Sequence, residues 1–185
     1  RHFSIGLQLM VGLPGDDDTG ALTTAQRIAD LGPDFVRIYP TLVVANSRLA
    51  EWYKSGDYAP LSLDEGVTLV KKIYLKFKKA GIDVIRMGLQ ASEDLEDRTT
   101  VLAGPHHPAF GHLVHSEIFL DMAISAIDPA NAIKETLTIF VNARSISKMR
   151  GLNNSNIKRL QSRFQLISLA VKPDASISES NLVIK

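Results

Sequence analysis

Three times along this chain an apolar alternation of period two appears, and an apolar period near 3.6 separates each from the next. That handover limits the possible folds more than any other feature. Segments 5–11 (Ile5-Gly6-Leu7-Gln8-Leu9-Met10-Val11), 35–40 (Phe35-Val36-Arg37-Ile38-Tyr39-Pro40) and 82–88 (Ile82-Asp83-Val84-Ile85-Arg86-Met87-Gly88) read as strands. Between the first two, Gly12-Leu13-Pro14-Gly15 is a turn. Asp16-Asp17-Asp18-Thr19 then supplies caps and first-turn acids for a helix carrying Leu22, Ala25, Ile28 and Ala29, which Gly32-Pro33 ends. Asn46-Ser47 caps a short helix, 48–54, and Ser62 with Glu65 forms a capping box for a longer one running to Lys79. A β-α-β-α-β alternation with short connections predicts a parallel sheet in an α/β fold.

Strand parity then selects candidate functional residues. Ile5, Leu7, Leu9 and Val11 share the face that helices cover, whereas Gly6, Gln8 and Met10 point the other way. Val36 and Ile38 oppose Arg37 and Tyr39, and Ile85 and Met87 oppose Val84, Arg86 and Gly88. The expected interior cluster is Gln8, Arg37, Tyr39 and Arg86. Buried arginine is uncommon unless paired, so an anionic ligand or a carboxylate is implied. The plainer alternative is that both arginines snorkel to solvent at strand ends.

Residues 89–111 are polar and end in Gly104-Pro105-His106-His107-Pro108-Ala109-Phe110-Gly111, a long structured loop on the C-terminal side of the strands. Neither His106 with His107 nor His112 with His115 completes a metal-ligand set, so they read as loop and helix-cap residues, with no metal expected. A helix from His112 to about Ile127 comes next. Charge divides the chain: residues 1–127 carry twelve Lys/Arg against sixteen Asp/Glu (12 − 16 = −4), residues 128–185 nine against four (9 − 4 = +5). Two domains are expected, 1–127 and 128–185, meeting at Asp128-Pro129-Ala130-Asn131, where Pro129 stops the helix.

The absence of cysteine excludes disulfides and thiolate metal sites within the segment. No apolar run approaches the roughly 20 residues that span a bilayer, and no secretory leader is visible, so no membrane association and a cytoplasmic setting are expected. An Arg1 start leading directly into core-like sequence suggests a piece of a longer protein.

Gly6 to Asp16, followed by Asp34-Phe35-Val36-Arg37-Ile38-Tyr39-Pro40-Thr41-Leu42-Val43-Val44 and then Tyr53-Lys54-Ser55-Gly56-Asp57-Tyr58, resembles the later part of radical SAM enzymes. The likeness is nearest to the catalytic subunit of Elongator and its bacterial relatives, and looser to oxygen-independent coproporphyrinogen III oxidase. It covers roughly residues 4–120. It implies the last three strands of a partial, (β/α)6-type TIM barrel. The parent's cofactors would be S-adenosylmethionine and a four-iron four-sulfur cluster held by a Cys-x-x-x-Cys-x-x-Cys motif. That motif is absent here, so the segment alone is expected to bind no cluster, make no radical and contain no catalytic residue. On this resemblance Gln8 and Arg86 fall on the S-adenosylmethionine side and Arg37 and Tyr39 on the substrate side.

Beyond Glu135 the pattern is strand (136–141), short helix (145–149), loop (150–154), helix (155–164) and strand (167–171). This order resembles the β-α-α-β core of a KH domain, a small α+β unit. Arg150-Gly151-Leu152-Asn153-Asn154 lies where the nucleotide-clamping Gly-x-x-Gly loop belongs, with Asn154 replacing the second glycine. Lys148, Arg150, Gly151, Asn153, Asn154, Lys158 and Arg159 are the candidate RNA contacts. The bland alternative makes Lys158, Arg159 and Arg163 an ordinary solvated helix face. Other expected partners are the N-terminal half of the barrel and, through an exposed strand edge, a second copy. Two further readings stay open: a non-catalytic RNA-binding or interaction module, and a small-molecule radical SAM enzyme of the coproporphyrinogen oxidase type.

Overall fold

A computed structural model describes residues 3–89, 100–129 and 135–185. The polar stretch 90–99 and part of the expected domain boundary (130–131) lie outside the described residues. The chain is mixed α/β and forms two compact units, 1–111 and 112–185.

In the first unit, strands β1 (Gly6–Val11), β2 (Phe35–Pro40) and β4 (Asp83–Met87) make a parallel sheet in the order β1-β2-β4. Helix α1 (Asp18–Leu31) starts at Asp17, whose carboxylate accepts from the Gly20 amide at 2.7 Å, and stops at Gly32 in a left-handed conformation. Helix α3 (Leu63–Lys79) starts with the expected capping box of Ser62 and Glu65. The two helices pack on each other, α1 meets β1, and α3 meets all three strands. Leu9, Val11, Val36 and Ile38 are buried with Val67, Val70, Ile73 and Phe77 of α3. Gly6, Gln8, Met10 and Arg37 alternate with those strand residues and are exposed. A sheet covered on one side is therefore left with a solvated polar face.

Strand β3 (Val43–Val44) and strand β5 (Val101–Ala103) pair antiparallel, beside helix α2 (Arg48–Ser55). Sequence reading places 101–103 in a loop, because three residues are too few to show a period. Their partner, 43–44, lies far away in the chain. Gly104 closes this pair: at φ +109, a Cβ there would sit 2.8 Å from the Thr41 carbonyl oxygen.

Helix α4 (Phe110–Ala126) begins in the first unit and continues through the second. There it joins strands β6 (Thr136–Val141), β7 (Ser168–Pro173) and β8 (Leu182–Ile184), and helices α5 (Ile146–Arg150) and α6 (Ser155–Phe164). The sheet order is β7-β6-β8, with β6 parallel to β7 and antiparallel to β8. Phe119, Leu120, Ala123 and Ile127 pack into one core with Ile139, Val141, Met149, Leu160 and Phe164. The units consequently divide at Gly111/His112 and not at the expected 127/128. Pro129 marks the end of a helix, but that helix buries its apolar residues against the strands and helices C-terminal to it.

Candidate functional site

The polar face of the first sheet is built by register. Gln8 pairs with Arg37 and Arg37 with Arg86, so the three lie level across adjacent parallel strands, about 4.8 Å apart from strand to strand. Met10 and Tyr39 make the next rung toward the strands' C-terminal ends. Arg86 reaches this row through a β-bulge: Val36 pairs with Val84, but Arg37 pairs with Arg86, leaving Ile85 as the extra residue. Strict alternation puts Ile85 on the covered face with Met87, and Arg86 with Val84. Instead Ile85 is 54% exposed, and Val84 pairs with the fully buried Val36. The bulge corrects the parity of this strand, and with it Gln8, Arg37 and Arg86 share a rung.

Support for Arg37 comes from the next rung back. A Cβ at Gly6 would lie 2.1 Å from the Phe35 ring, so the missing side chain is what lets Phe35 lie over β1. The Arg37 guanidinium then sits 5.6 Å from the Phe35 ring centre, a cation–π distance. Two arginines on neighbouring strands repel each other. At the C-terminal end of the strands, Thr41 Oγ1 donates to the Val11 carbonyl at 2.8 Å and Tyr58 Oη donates to the Gly12 carbonyl at 2.6 Å. These bonds anchor the loops bordering the rung. Pro105 packs on Gly66 of α3 and Phe110 on Gly88, while His107 Nδ1 accepts from the Ala109 amide at 3.0 Å. His107 is thus a loop-capping residue.

In the second unit the candidate residues cluster at the junction of α5 and α6. Gly151 has φ +72, and a Cβ there would meet Ser155 Oγ at 2.4 Å. Asn153 and Asn154 are both left-handed, a conformation asparagine tolerates better than other side chains. His112, Ser147, Arg150 and the loop 151–154 border a cavity of about 560 Å³. Lys158 is exposed on α6. Arg159 makes an ion pair with Glu117 of α4 and keeps much of its side chain in solvent. Lys148 contributes its carbonyl, which accepts a long 3.4 Å bond from Asn156 Nδ2.

Sequence reading misses Asn156. It is 1% exposed, and its Nδ2 donates to the Ser116 carbonyl at 2.9 Å and to Ser116 Oγ at 3.0 Å. The signal was present: Asn156, Leu160 and Phe164 form one i, i+4, i+8 stripe, so the asparagine falls on the buried face. His115, beside Lys148 and His112, has its pKa pushed down to about 4. Burial is the main cause, followed by the charges of Lys148 and His112. Among the described residues no group of three His, Asp or Glu could hold a metal ion, and no helix is long and apolar enough to cross a membrane.

Residues 33–119 match the Radical_SAM C-terminal domain. The match includes Arg37, Tyr39 and Arg86 and leaves out Gln8. The tRNA uridine(34) acetyltransferase of Methanocaldococcus jannaschii is 33% identical over 69 residues, which are 36% of this chain and 13% of that protein. An uncharacterized protein of the same organism is 31% identical over 70 residues, or 38% of this chain and 22% of its own length. The chain thus spans a minor part of each relative. Over residues 33–119 the chain is similar to the C-terminal domain of radical SAM proteins, in keeping with the resemblance carried by its sequence.

Proposed function

We propose that this chain is the C-terminal portion of a radical SAM enzyme acting on tRNA, with the polar sheet face as its lumen side and the second unit as an RNA holder. One observation carries the reading: the domain match falls on the segment whose register brings Arg37 and Arg86 onto one rung. In the parent, S-adenosylmethionine bound at the cluster would supply the 5′-deoxyadenosyl radical. The chain has no cysteine, so no residue here fits the cluster. The arginine rung does suit a carboxylate-bearing ligand. Gln8 and Arg86 would hold S-adenosylmethionine, and Arg37 and Tyr39 would face the substrate. Their work is orientation and water exclusion. The three parallel strands would be the last of a partial (β/α)6 barrel, with the N-terminal half of the parent meeting the open edge of β1.

The second unit reads as KH-like in its order of strand β6, helix α5, loop 151–154, helix α6 and strand β7. KH loops clamp about four nucleotides by the backbone. The tRNA named for the Methanocaldococcus jannaschii relative supports an RNA substrate for this chain too.

The test uses the parent protein with its cluster reconstituted. Arg86→Gln is expected to weaken S-adenosylmethionine binding in equilibrium dialysis, and Arg37→Gln to lower coupled product formation while leaving that binding near normal. Filter binding of tRNA should fall when Lys158→Glu and Arg159→Glu are combined. Unchanged S-adenosylmethionine binding in Arg86→Gln defeats the lumen assignment. Unchanged tRNA retention at every salt concentration defeats the RNA assignment.

A further inference from the structure

Helix α6 presents two different faces. Asn156, Leu160 and Phe164 are buried, whereas Lys158, Arg159, Ser162 and Arg163 are exposed. The exposed four, with Ile124 of α4, line a groove of about 470 Å³ separate from the loop cavity. Its electrostatics depend on the acids nearby. Glu117 of α4 is engaged by Arg159, so that pair cancels. Asp121, one helical turn further along α4, borders another cavity with Asn181 and Leu182. Arg163 has its guanidinium 5.8 Å from the Phe164 ring centre, held along the helix surface, and Lys158 is exposed. Two positive charges and a hydroxyl therefore remain along one wall of the groove. They are five residues apart at the extremes, about 7.5 Å along the helix axis.

The loop cavity is lined by the end of α5 and the turn 151–154 that leads into α6, and the groove by residues 158–163 of α6 itself, with Arg150 bordering the first and Arg163 the second. We propose that a single-stranded RNA entering at the loop continues along α6 into this groove, where Lys158 and Arg163 each neutralise one backbone phosphate and Ser162 donates a hydrogen bond to a phosphate oxygen. The inference rests on the RNA reading above. It extends that reading from a four-nucleotide clamp to a longer track. The wall carries charge and a hydroxyl but no exposed aromatic ring, so the track holds phosphates and does not stack bases. Binding there is accordingly insensitive to sequence and sensitive to salt. An acidic polypeptide offers charge without the regular phosphate spacing, and it is the competing occupant that the test must separate.

The experiment measures fluorescence anisotropy of the intact protein with single-stranded RNA of four and of twelve nucleotides, across a salt series. The comparison variant is Ser162→Ala with Arg163→Gln, both at exposed positions; far-UV circular dichroism checks that it folds. Wild-type protein should bind the twelve-mer more tightly and with a steeper salt dependence than the four-mer. In the variant, the twelve-mer slope should fall by about 0.7, the contribution of one phosphate lost from a single strand, while four-mer binding stays as in wild type. A twelve-mer slope and affinity unchanged by the variant overturn the track and leave loop binding intact. Displacement of the twelve-mer by polyglutamate at equal charge concentration also overturns it, in favour of an acidic protein partner. If wild-type protein binds neither oligonucleotide, the RNA reading itself fails along with the track.

Discussion

Replacing Asn156 by alanine tests whether the second unit is organised from its buried polar clasp. Asn156 joins three helices: it sits on α6, donates twice to Ser116 on α4, and reaches the Lys148 carbonyl on α5. Each of the two bonds to Ser116 is worth about 1 kcal/mol net, and stranding the buried Ser116 hydroxyl adds about another 1 kcal/mol. The sum, about 3 kcal/mol, is a little over a hundredfold in the opening equilibrium at about 1.4 kcal/mol per decade. The assay has to see the second unit alone. All four tyrosines and the single tryptophan, Trp52, precede residue 112, so intrinsic fluorescence reports the first unit. Hydrogen exchange read by mass spectrometry over 112–185 reports the second. Protection across α4, α5 and α6 should drop by roughly a hundredfold, with the Trp52 unfolding midpoint unmoved. Asn156→Asp should cost more, because a carboxylate of the same size cannot donate and carries charge into a buried site. Protection within threefold of the parent in Asn156→Ala would refute the clasp.

The geometry sets two further outcomes. Gly104→Ala forces a side chain to φ +109 against the Thr41 carbonyl, which should destabilise the first unit by about 2–4 kcal/mol from strain and overpacking together. The Trp52 midpoint in urea reads this, and an unchanged midpoint contradicts the close approach. His115 has a folded pKa of about 4 against 6.5 for the free side chain, so the unfolded chain takes up its proton first as pH falls. The second unit should therefore hold full stability above pH 6.5 and lose about 1–2 kcal/mol between 6.5 and about 4, allowing for partial solvent screening. His115→Gln should flatten that part of the exchange-derived profile; a profile identical to wild type removes His115 as the cause.

The local signals were legible and specific. The Ser62–Glu65 capping box, the Asp17 cap and the Gly32 stop each depend on residues within a turn of one another, and the helices begin and end where those residues stand. The alternation of β1 and β2 also carries through to the burial of Leu9, Val11, Val36 and Ile38. β4 departs from its own alternation because one residue bulges against β2, an adjustment of pairing that no single strand records.

What the amino-acid order determined by itself was the type and ends of the elements, the polar character of one sheet face, and the exclusion of thiolate chemistry. Each of these needs only neighbouring torsion preferences, periodicity or composition. Tertiary structure decided the rest: the bulge that sets Arg86 beside Arg37, the β3–β5 pairing, the allegiance of α4 to the second core, and the ion pair that occupies Arg159. Those outcomes join residues tens of positions apart, and their free energy exists only once the partner surfaces have met. The chemistry available to the chain was written locally, whereas its arrangement into a rung and a groove came from long-range packing.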